Sequence, residues 1–436
     1  LTAKITEAIA DANADAHTIT ASSTVLTDVL SITADGTGID NGDMTTFTGF
    51  DKLTIANDAS TGTIVLDELN IADGATFTVD ATALVGSTNG TTHSITIDAK
   101  DDTNGKLVVT GGDGGDTIVG SLSDNGDDIS GGAGNDTIAF GDGTTAGLTS
   151  ADTVAGGAGT DTLRHDTDEA ILEADFTNVT SMEVLTAAAD IQLTGNLGAK
   201  AKAAGITTVT FNDSDNNDSL TIDAEFDSTA LEFNLDDGNN TFDASAYTGT
   251  LTVKTTEAIA DSDTQTVTAS STVLTDVLLI TADGTDIDNA SMTTFTGFDK
   301  LTIANDASTG TITLDELNIA DGATFTVDAT ALVGSTNGTA HALTIDAKDD
   351  TNGVLVVTGG SGGDSITGSL SDNGDSISGG AGNDTIAFST SGLTSADTVA
   401  GGAGTDSLRY DADEAILEAD FTNVTGIETL TSANDV

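Results

Sequence analysis

The sequence predicts an all-β fold, a β-solenoid of the parallel β-helix or β-roll type with little helix. Three observations support this. Apolar residues alternate with small polar ones in short runs bounded by Gly, Asn or Asp, which is typical of short strands. Nonapeptides of the pattern G-G-x-G-x-D-x-U-x, where U is a large apolar residue, recur at 111–119, 131–139 and 156–164. Finally, the segment 44–64 returns unchanged at 292–312, within a tandem repeat of about 250 residues.

The first copy begins with alternating strands at a spacing of roughly 10–18 residues. Their paired apolar residues are Leu53 and Ile55, Ile64 and Leu66, Phe77 and Val79, Ile95 and Ile97, and Leu107 and Val109. This spacing suits either a sandwich or a solenoid. The direct passage from 105–109 into the nonapeptides favours the solenoid, because a β-roll strand is already one segment of a coil. The segments 168–176 and 199–204 are candidates for short helices, with a loop as the alternative for each.

The repeat predicts an order of domains along the chain. Solenoid turns at 1–110 lead to a calcium β-roll at 111–164, and turns with a connector follow at 165–250. The second copy has solenoid turns at 251–358, a second roll at 359–409 and the start of a truncated connector at 410–436. We therefore expect the chain to be a piece of a longer array.

The composition favours oxygen-bound metal. The chain has 71 acidic and 11 basic residues, a formal charge of −60, and by count 59 of the acids are Asp. Asp favours turns, and so much like charge opposes compaction unless cations neutralise it. Nucleic acid and anionic membranes are poor partners for such a surface. The absence of Cys excludes disulfides and thiolate zinc sites. There is no apolar run of about 20 residues, so we expect no membrane span, and no signal peptide opens the chain.

The nonapeptides predict calcium sites. Calcium takes about 6–8 oxygen ligands, more than one nonapeptide can supply, so two stacked turns must share an ion. Stacking puts Asp116, Asp136 and Asp161 along one edge, with Ile118, Ile138 and Leu163 inside. The opposite edge is more degenerate and offers Asp127 and Asp152, for weaker sites or none. The matching residues of the second copy are Asp364, Asp384 and Asp406 on the first edge, and Asp375 and Asp397 on the opposite one. The alternative is a metal-free Gly/Asp turn.

Other candidate sites are weaker. The segment 213–218 resembles the start of an EF-hand loop but lacks the required glycine and glutamate, and the turn at 235–243 is a candidate for an extra ion. We expect His93 and its counterpart His341 to occupy surface strand positions. The two arginines, Arg164 and Arg409, are expected to pair with a neighbouring Asp.

The nonapeptides resemble the repeats-in-toxin (RTX) family of calcium-binding, type I-secreted bacterial proteins. Flanking phrases such as FTGFDKLTIAN and FTNVTSMEVLT look like the strand-turn units of S-layer proteins that carry RTX repeats. The resemblance implies secretion without an N-terminal signal, folding outside the cell, and Asp ligands at the positions given above. It also implies carbonyl ligands from the turn residues Gly111, Asp113, Gly132, Gly134, Gly157 and Gly159. Insertions at 120–127 and 140–155 break the period of nine and put the ligand geometry there in doubt.

Three functions are consistent with these features. The first is a structural, calcium-dependent bacterial cell-surface protein, an S-layer lattice or extracellular filament subunit that self-associates. Its anchor to a cell-surface glycan or lipopolysaccharide would lie in parts outside this chain. The second is the repetitive stalk of a giant RTX adhesin. The third, a calcium-dependent polysaccharide lyase, is disfavoured because the chain has few basic residues and no recognisable catalytic motif, so we expect no enzyme.

Overall fold

A computed structural model of the chain confirms the all-β prediction. The fold is a parallel β-solenoid of about 14 turns with about 5% helix. The structure describes the whole chain except residues 7–18, 22–26, 34–46, 57–62, 86, 89–90, 213–216, 228–229, 237, 257–264, 271–274, 282–293, 305–310, 334, 337–338, 390–391, 413–414 and 433–436.

The chain divides into two compact units. The first consists of Leu1–Asp213 and Ser219–Asp227, and the second of Ser214–Asp218 and Ser228–Val436. The division therefore falls inside the connector that occurs once in the sequence, and not at residue 251, where the second copy of the repeat begins.

The first unit contains two long parallel sheets. One consists of Thr2–Thr6, Val29–Thr33, Lys52–Ile55, Thr76–Asp80, Lys106–Thr110, Asp128–Ala133, Thr153–Ala158 and Val179–Thr180. The other consists of Thr63–Asp67, Thr96–Asp101, Thr117–Val119, Thr137–Gly143, Thr162–Thr167, Val184–Ala187 and Thr208–Thr210. Smaller pairs are formed by Ile19–Thr20 with Phe47–Thr48, by Thr194–Leu197 with Ser219–Ile222, and by the antiparallel strands Ser87–Thr88 and Thr91–Thr92.

The second unit is built in the same way. One parallel sheet consists of Ala230–Asn234, Thr250–Thr256, Val277–Thr281, Lys300–Ile303, Thr324–Asp328, Val354–Thr358, Ser376–Ala381, Thr398–Ala403 and Val424–Thr425. Another consists of Thr311–Thr313, Thr344–Asp346, Ser365–Thr367, Thr385–Phe388, Ser407–Tyr410 and Thr429–Thr431. A third consists of Thr241–Asp243, Thr266–Thr268 and Phe295–Thr296, and Ser335–Thr336 pairs antiparallel with Thr339–Ala340.

Helix is confined to short segments in the described residues. The candidate at 199–204 is confirmed as the α-helix Ala199–Ala204, which ends at Gly205 in a left-handed conformation with φ of 109°. The candidate at 168–176 is only partly helical, because the 3-10 helix runs over Glu173–Asn178. A second 3-10 helix covers Glu418–Phe421. In the described part of the chain, no helix combines the length and apolar character needed to cross a membrane.

The core is a stack of aliphatic side chains, one layer for each turn of the coil. Ile118 pairs in register with Ile138, and Ile138 with Leu163. All three are at most 1% exposed. Each contributes about 1.5–3 kcal/mol by burial. The predicted inward stack is therefore confirmed, as are the alternating strands at 52–55 and 63–67.

Candidate metal centre in the glycine-aspartate turns

The predicted edge of aspartates is present in the first unit. The backbone N–H of Asp116 donates to Oδ1 of Asp136 at 2.7 Å, and the N–H of Asp136 donates to Oδ1 of Asp161 at 2.8 Å. These partners lie 20 and 25 residues apart, which is one turn of the coil. One oxygen of each lower carboxylate therefore fixes the register of the turn before it.

The second unit repeats this arrangement. Asp364 N–H donates to Oδ1 of Asp384 at 2.7 Å, and Asp384 N–H donates to Oδ1 of Asp406 at 2.8 Å. We call these two sets the aspartate columns: Asp116, Asp136 and Asp161 in the first unit, and Asp364, Asp384 and Asp406 in the second.

The members of a column differ in the hydrogen bonding of the second carboxylate oxygen, Oδ2. In Asp136, Asp161, Asp384 and Asp406, Oδ2 is buried and accepts no hydrogen bond. These four side chains are at most 1% exposed, and an unsatisfied buried acceptor costs about 1–3 kcal/mol, or more when it is charged. In the leading turn of each column the oxygen is satisfied, because Oδ2 accepts the N–H of Gly112 or Gly360 at 2.9 Å.

Burial in the columns disfavours the ionised form of the aspartates. Burial, with smaller contributions from the charges of Asp116 and Asp161, raises the pKa of Asp136 to about 7. Burial also raises the pKa of Asp161, Asp364 and Asp384, that of Asp364 to about 6. A cation beside these oxygens would reverse this, since a nearby opposite charge favours the ionised form.

The glycine turns beside the columns stack closely on one another. Gly132, Gly134 and Gly157 have φ of 115°, 119° and 118°, a region that favours glycine. Gly159 has φ of 151°. The turns stack so tightly that a methyl group on Gly157 would stand 2.0 Å from the carbonyl oxygen of Gly132, and one on Gly159 would stand 1.8 Å from that of Gly134. Only glycine fits this stack.

The leading turn at 111–116 differs from the two that follow. Gly112 and Gly114 do not adopt positive φ there. Gly111 N–H donates to Ser130 O at 2.9 Å, while Asp113, whose side chain is exposed, donates its N–H to Leu84 O at 2.9 Å. The leading turn is thus hydrogen-bonded to the corner that contains Leu84, which is not a glycine turn. It adopts a different conformation from the turns at 131–136 and 156–161, although it has the same motif.

The opposite edge has aspartates with complete hydrogen bonding. Asp127 Oδ1 accepts from Leu107 N–H and Ser121 Oγ, both at 2.9 Å, and Oδ2 accepts Ser121 N–H at 2.7 Å. Asp152 Oδ1 accepts Asp127 N–H at 2.7 Å, and Oδ2 accepts Thr149 N–H at 2.6 Å. In the second unit, Asp375 and Asp397 accept hydrogen bonds from the equivalent backbone N–H groups, those of Leu355 and Ser369 for Asp375 and those of Asp375 and Thr394 for Asp397. These carboxylates are buried like the columns, yet each oxygen has a protein donor.

The turn at 235–243 shows what an amide does in the same position. Asn240 Oδ1 accepts Asp218 N–H at 2.9 Å, as a column aspartate would, while its Nδ2 donates to Asp236 Oδ1 at 3.0 Å. One turn later, Gln265 Nε2 donates to Gly238 O at 2.5 Å. An NH2 group therefore contacts the local oxygens of this candidate ion turn. Residues 213–216 of the EF-hand-like segment lie outside the described residues.

The basic residues behave partly as predicted. Arg164 forms a two-point contact with Asp166, with Nε to Oδ1 at 2.7 Å, and Arg409 Nε bonds Asp411 Oδ2 at 2.7 Å. The surface assignment of the recurring histidine is wrong, because His93 and His341 are only 9% and 7% exposed. They share the inward face of a period-two pattern.

Two glutamates that the sequence reasoning missed extend the columns. Asp161 N–H donates to Glu183 Oε2 at 2.8 Å, and Asp406 N–H donates to Glu428 Oε2 at 2.8 Å. Spacing in the sequence could have indicated them. Glu183 lies two residues before Leu185, just as Asp161 lies two residues before Leu163, and these two leucines pair in register.

Carboxylates arranged one turn apart do not converge. Among the described residues there is no group of three or more His, Cys, Asp or Glu side chains that could hold a metal ion by themselves. A cation at a column would therefore need backbone carbonyls or water as well, which is ordinary for calcium. No protein-family model, curated protein or solved structure matches this chain.

Proposed function

We propose that this chain is a calcium-binding structural protein of the bacterial cell surface, a lattice or filament subunit, and not an enzyme. The observation that carries the proposal is the set of four buried, unpartnered Oδ2 atoms on Asp136, Asp161, Asp384 and Asp406. They occur in turns that resemble RTX repeats, at the ligand position of that repeat.

The donor set suits a hard cation. Asp136 and Asp161 would contribute carboxylate oxygens, and the stacked turns at 131–134 and 156–159 would contribute carbonyls. Calcium, when bound, would supply the positive charge that offsets two buried carboxylates one turn apart. The Oδ1 atoms are already committed to backbone N–H groups, so they hold the turns in register while Oδ2 remains available.

The structural role follows from charge and repetition. A chain of net charge −60 repels its own copies, and divalent cations remove that repulsion. A repeating unit of about 250 residues would present the same face several times along an array, which favours self-association. We propose that this assembly lies outside the cell, attached to a surface glycan or lipopolysaccharide.

Chelation tests the calcium dependence. The chain is dialysed against EGTA, then returned to calcium or to magnesium at equal ionic strength, and followed by far-UV circular dichroism and melting. We expect a weaker β signal and lower Tm in EGTA, with recovery in calcium alone. An unchanged spectrum and Tm after exhaustive chelation contradict the proposal.

Negative-stain electron microscopy of the same three samples tests assembly. Sheets or ordered filaments that form in calcium and disperse in EGTA support a lattice or filament subunit. Separate flexible fibres in calcium support the adhesin stalk instead. If calcium binds without any assembly, the structural proposal fails although calcium binding stands.

A further inference from the structure

A second buried carboxylate with an unpartnered oxygen lies outside the nonapeptides. Asp102 is 0% exposed, and its Oδ1 accepts no hydrogen bond. Its Oδ2 accepts the N–H of Gly105 at 3.1 Å, which closes the turn 101–105 on itself. Burial raises the pKa of Asp102, and the backbone N–H of Asn104 also acts on this carboxylate and opposes that rise, but Oδ1 itself has no hydrogen-bond partner.

A second oxygen in the same turn is also unpartnered. The side-chain Oδ1 of Asn104 is buried and accepts no hydrogen bond. Its backbone carbonyl accepts the N–H of Gly74 at 2.9 Å and the Nδ2 of Asn125 at 2.6 Å, so neighbouring turns on both sides fix this residue. The backbone of the turn that carries both acceptors is therefore held by its neighbours.

Acidic residues surround this turn. Glu68 Oε1 accepts the N–H of Thr103 at 3.2 Å and its hydroxyl at 2.5 Å. The charges of Glu68 and Asp73 add to burial in raising the pKa of Asp102 to about 6. A buried carboxylate beside two further carboxylates is a strongly negative site with no cationic partner among the contacts described.

The second unit contains the same arrangement. Asp350 is 0% exposed with an unpartnered Oδ2, and Asn352 again has a buried, unpartnered Oδ1. Glu316 accepts the N–H and hydroxyl of Thr351, and Gly322 N–H donates to Asn352 O at 3.0 Å. The feature therefore recurs wherever the sequence of this corner recurs.

Neighbouring turns on this edge show that protein donors could have completed the site. Ser121 supplies both N–H and hydroxyl to Asp127, and Thr149 supplies both to Asp152. At Asp102 the nearby hydroxyl, that of Thr103, is turned to Glu68 instead. The turn uses its only hydroxyl to fix a second carboxylate rather than to satisfy the buried one.

We propose that Asp102 and Asn104, with Glu68 beside them, bind a calcium ion, and that Asp350, Asn352 and Glu316 bind a second. The ligands are side-chain oxygen atoms only, two of them in a turn whose backbone is hydrogen-bonded to its neighbours, with water completing the shell. These sites lie apart from the aspartate columns and do not depend on the function proposed above.

Counting bound calcium tests the inference. Full-length protein is equilibrated with a fixed free calcium concentration, and bound metal is measured by atomic absorption after gel filtration. We expect the double variant Asp102→Asn, Asp350→Asn to bind two fewer ions per chain. Asp101→Asn with Asp349→Asn is the matched control, because both side chains are exposed and the charge change is equal. An unchanged ion count in the first variant overturns the proposal.

A second variant is used if Asp102→Asn with Asp350→Asn misfolds, as judged by circular dichroism in EGTA. Glu68 and Glu316 are exposed, so Glu68→Gln with Glu316→Gln should fold. We expect this variant to weaken two sites by about tenfold in Kd, measured by calorimetry. Unchanged affinities overturn the proposal.

The column variant Asp136→Asn, Asp384→Asn separates the two proposals. If it retains every ion while the Asp102 variant loses two, the corner sites stand and the column sites fail. The reverse result leaves the columns and removes the corners.

Discussion

Replacing Asp136 by asparagine should stabilise the chelated protein, and calcium should remove that advantage. In chelated protein at pH 8, Asp136 is ionised although its pKa is raised from the ordinary 3.8 to about 7. That difference corresponds to roughly 4 kcal/mol of folding free energy lost on ionisation, and the side chain is only 1% exposed. Asparagine retains the Oδ1 acceptor for Asp116 N–H and carries no charge. We therefore expect Asp136→Asn to stabilise the chelated protein, by up to roughly 4 kcal/mol.

Calcium offsets this gain. A site saturated about one thousandfold above its Kd adds about 4.1 kcal/mol to the stability of the native sequence alone, which cancels the advantage of the variant where Asp136 contributes a ligand. Urea unfolding at pH 8 in EGTA and in excess calcium measures both effects. The probe is far-UV circular dichroism, because the chain has no Trp.

The matched control is Asp152→Asn on the opposite edge. Both oxygens of Asp152 accept protein donors, so an NH2 group there faces the N–H of Thr149 or of Asp127. Burial also raises the pKa of Asp152, so neutralising it recovers some free energy, but the lost contacts cost about 1–3 kcal/mol. We therefore expect Asp152→Asn to be less stable than Asp136→Asn in EGTA, and its effect to be the same with and without calcium. If Asp136→Asn is no more stable than Asp152→Asn in the chelated protein, the account of the unpartnered oxygen is refuted.

Three further predictions follow from the same geometry. Because the folded pKa of Asp136 lies above the unfolded one, the native state binds more protons between pH 3.8 and about 7. Stability in EGTA should therefore fall as pH rises through that window, whereas in excess calcium, which favours the ionised form of a ligand, it should change little; urea midpoints at pH 4.5, 6 and 7.5 measure both slopes. Gly131→Ala puts a methyl group 2.2 Å from Asp136 Oδ2, so it should lower both the Tm and the calcium affinity. Gly74→Ala is the control, because its methyl group meets no atom within 4 Å and the substitution should cost only backbone strain. Asn240→Asp places a carboxylate against Asp236 Oδ1, so it should lower Tm in EGTA, and calcium should restore it; an equal loss in both solutions contradicts the comparison with the columns.

The sequence predicted the core because period-two alternation is a local property of the chain. Leu53, Ile64 and Ile118 all lie inside, as their spacing indicates. The same periodicity places His93 on the face of Ile95 and Ile97, so the surface assignment neglected a signal that was present.

The different state of the leading turn could not be predicted from its residues. The turns at 111–116 and 131–136 share one motif, yet only Asp116 accepts the N–H of a glycine in its own turn. The cause is the neighbour. The leading turn lies against Leu84, whereas the next turn lies against another glycine turn. Conformation here is set across the coil, between residues far apart in sequence.

The alternative to a calcium site is a metal-free turn. Such a turn explains only one of the two oxygens of each carboxylate. An oxygen that accepts the N–H of the preceding turn is needed whether or not calcium binds, and Asn240 provides it as well as Asp136 does. Asn240 and Asp136 differ in the other group at the end of the side chain, which is an NH2 in Asn240 and the oxygen Oδ2 in Asp136. The amide of Asn240 finds an acceptor, whereas Asp136 presents a buried oxygen to no donor at all. A turn that required only register would be more stable with asparagine, since the acid adds a cost and no contact. The stacking of the coil therefore does not account for the acid at Asp136 and Asp161, and the cation that we propose would offset its cost.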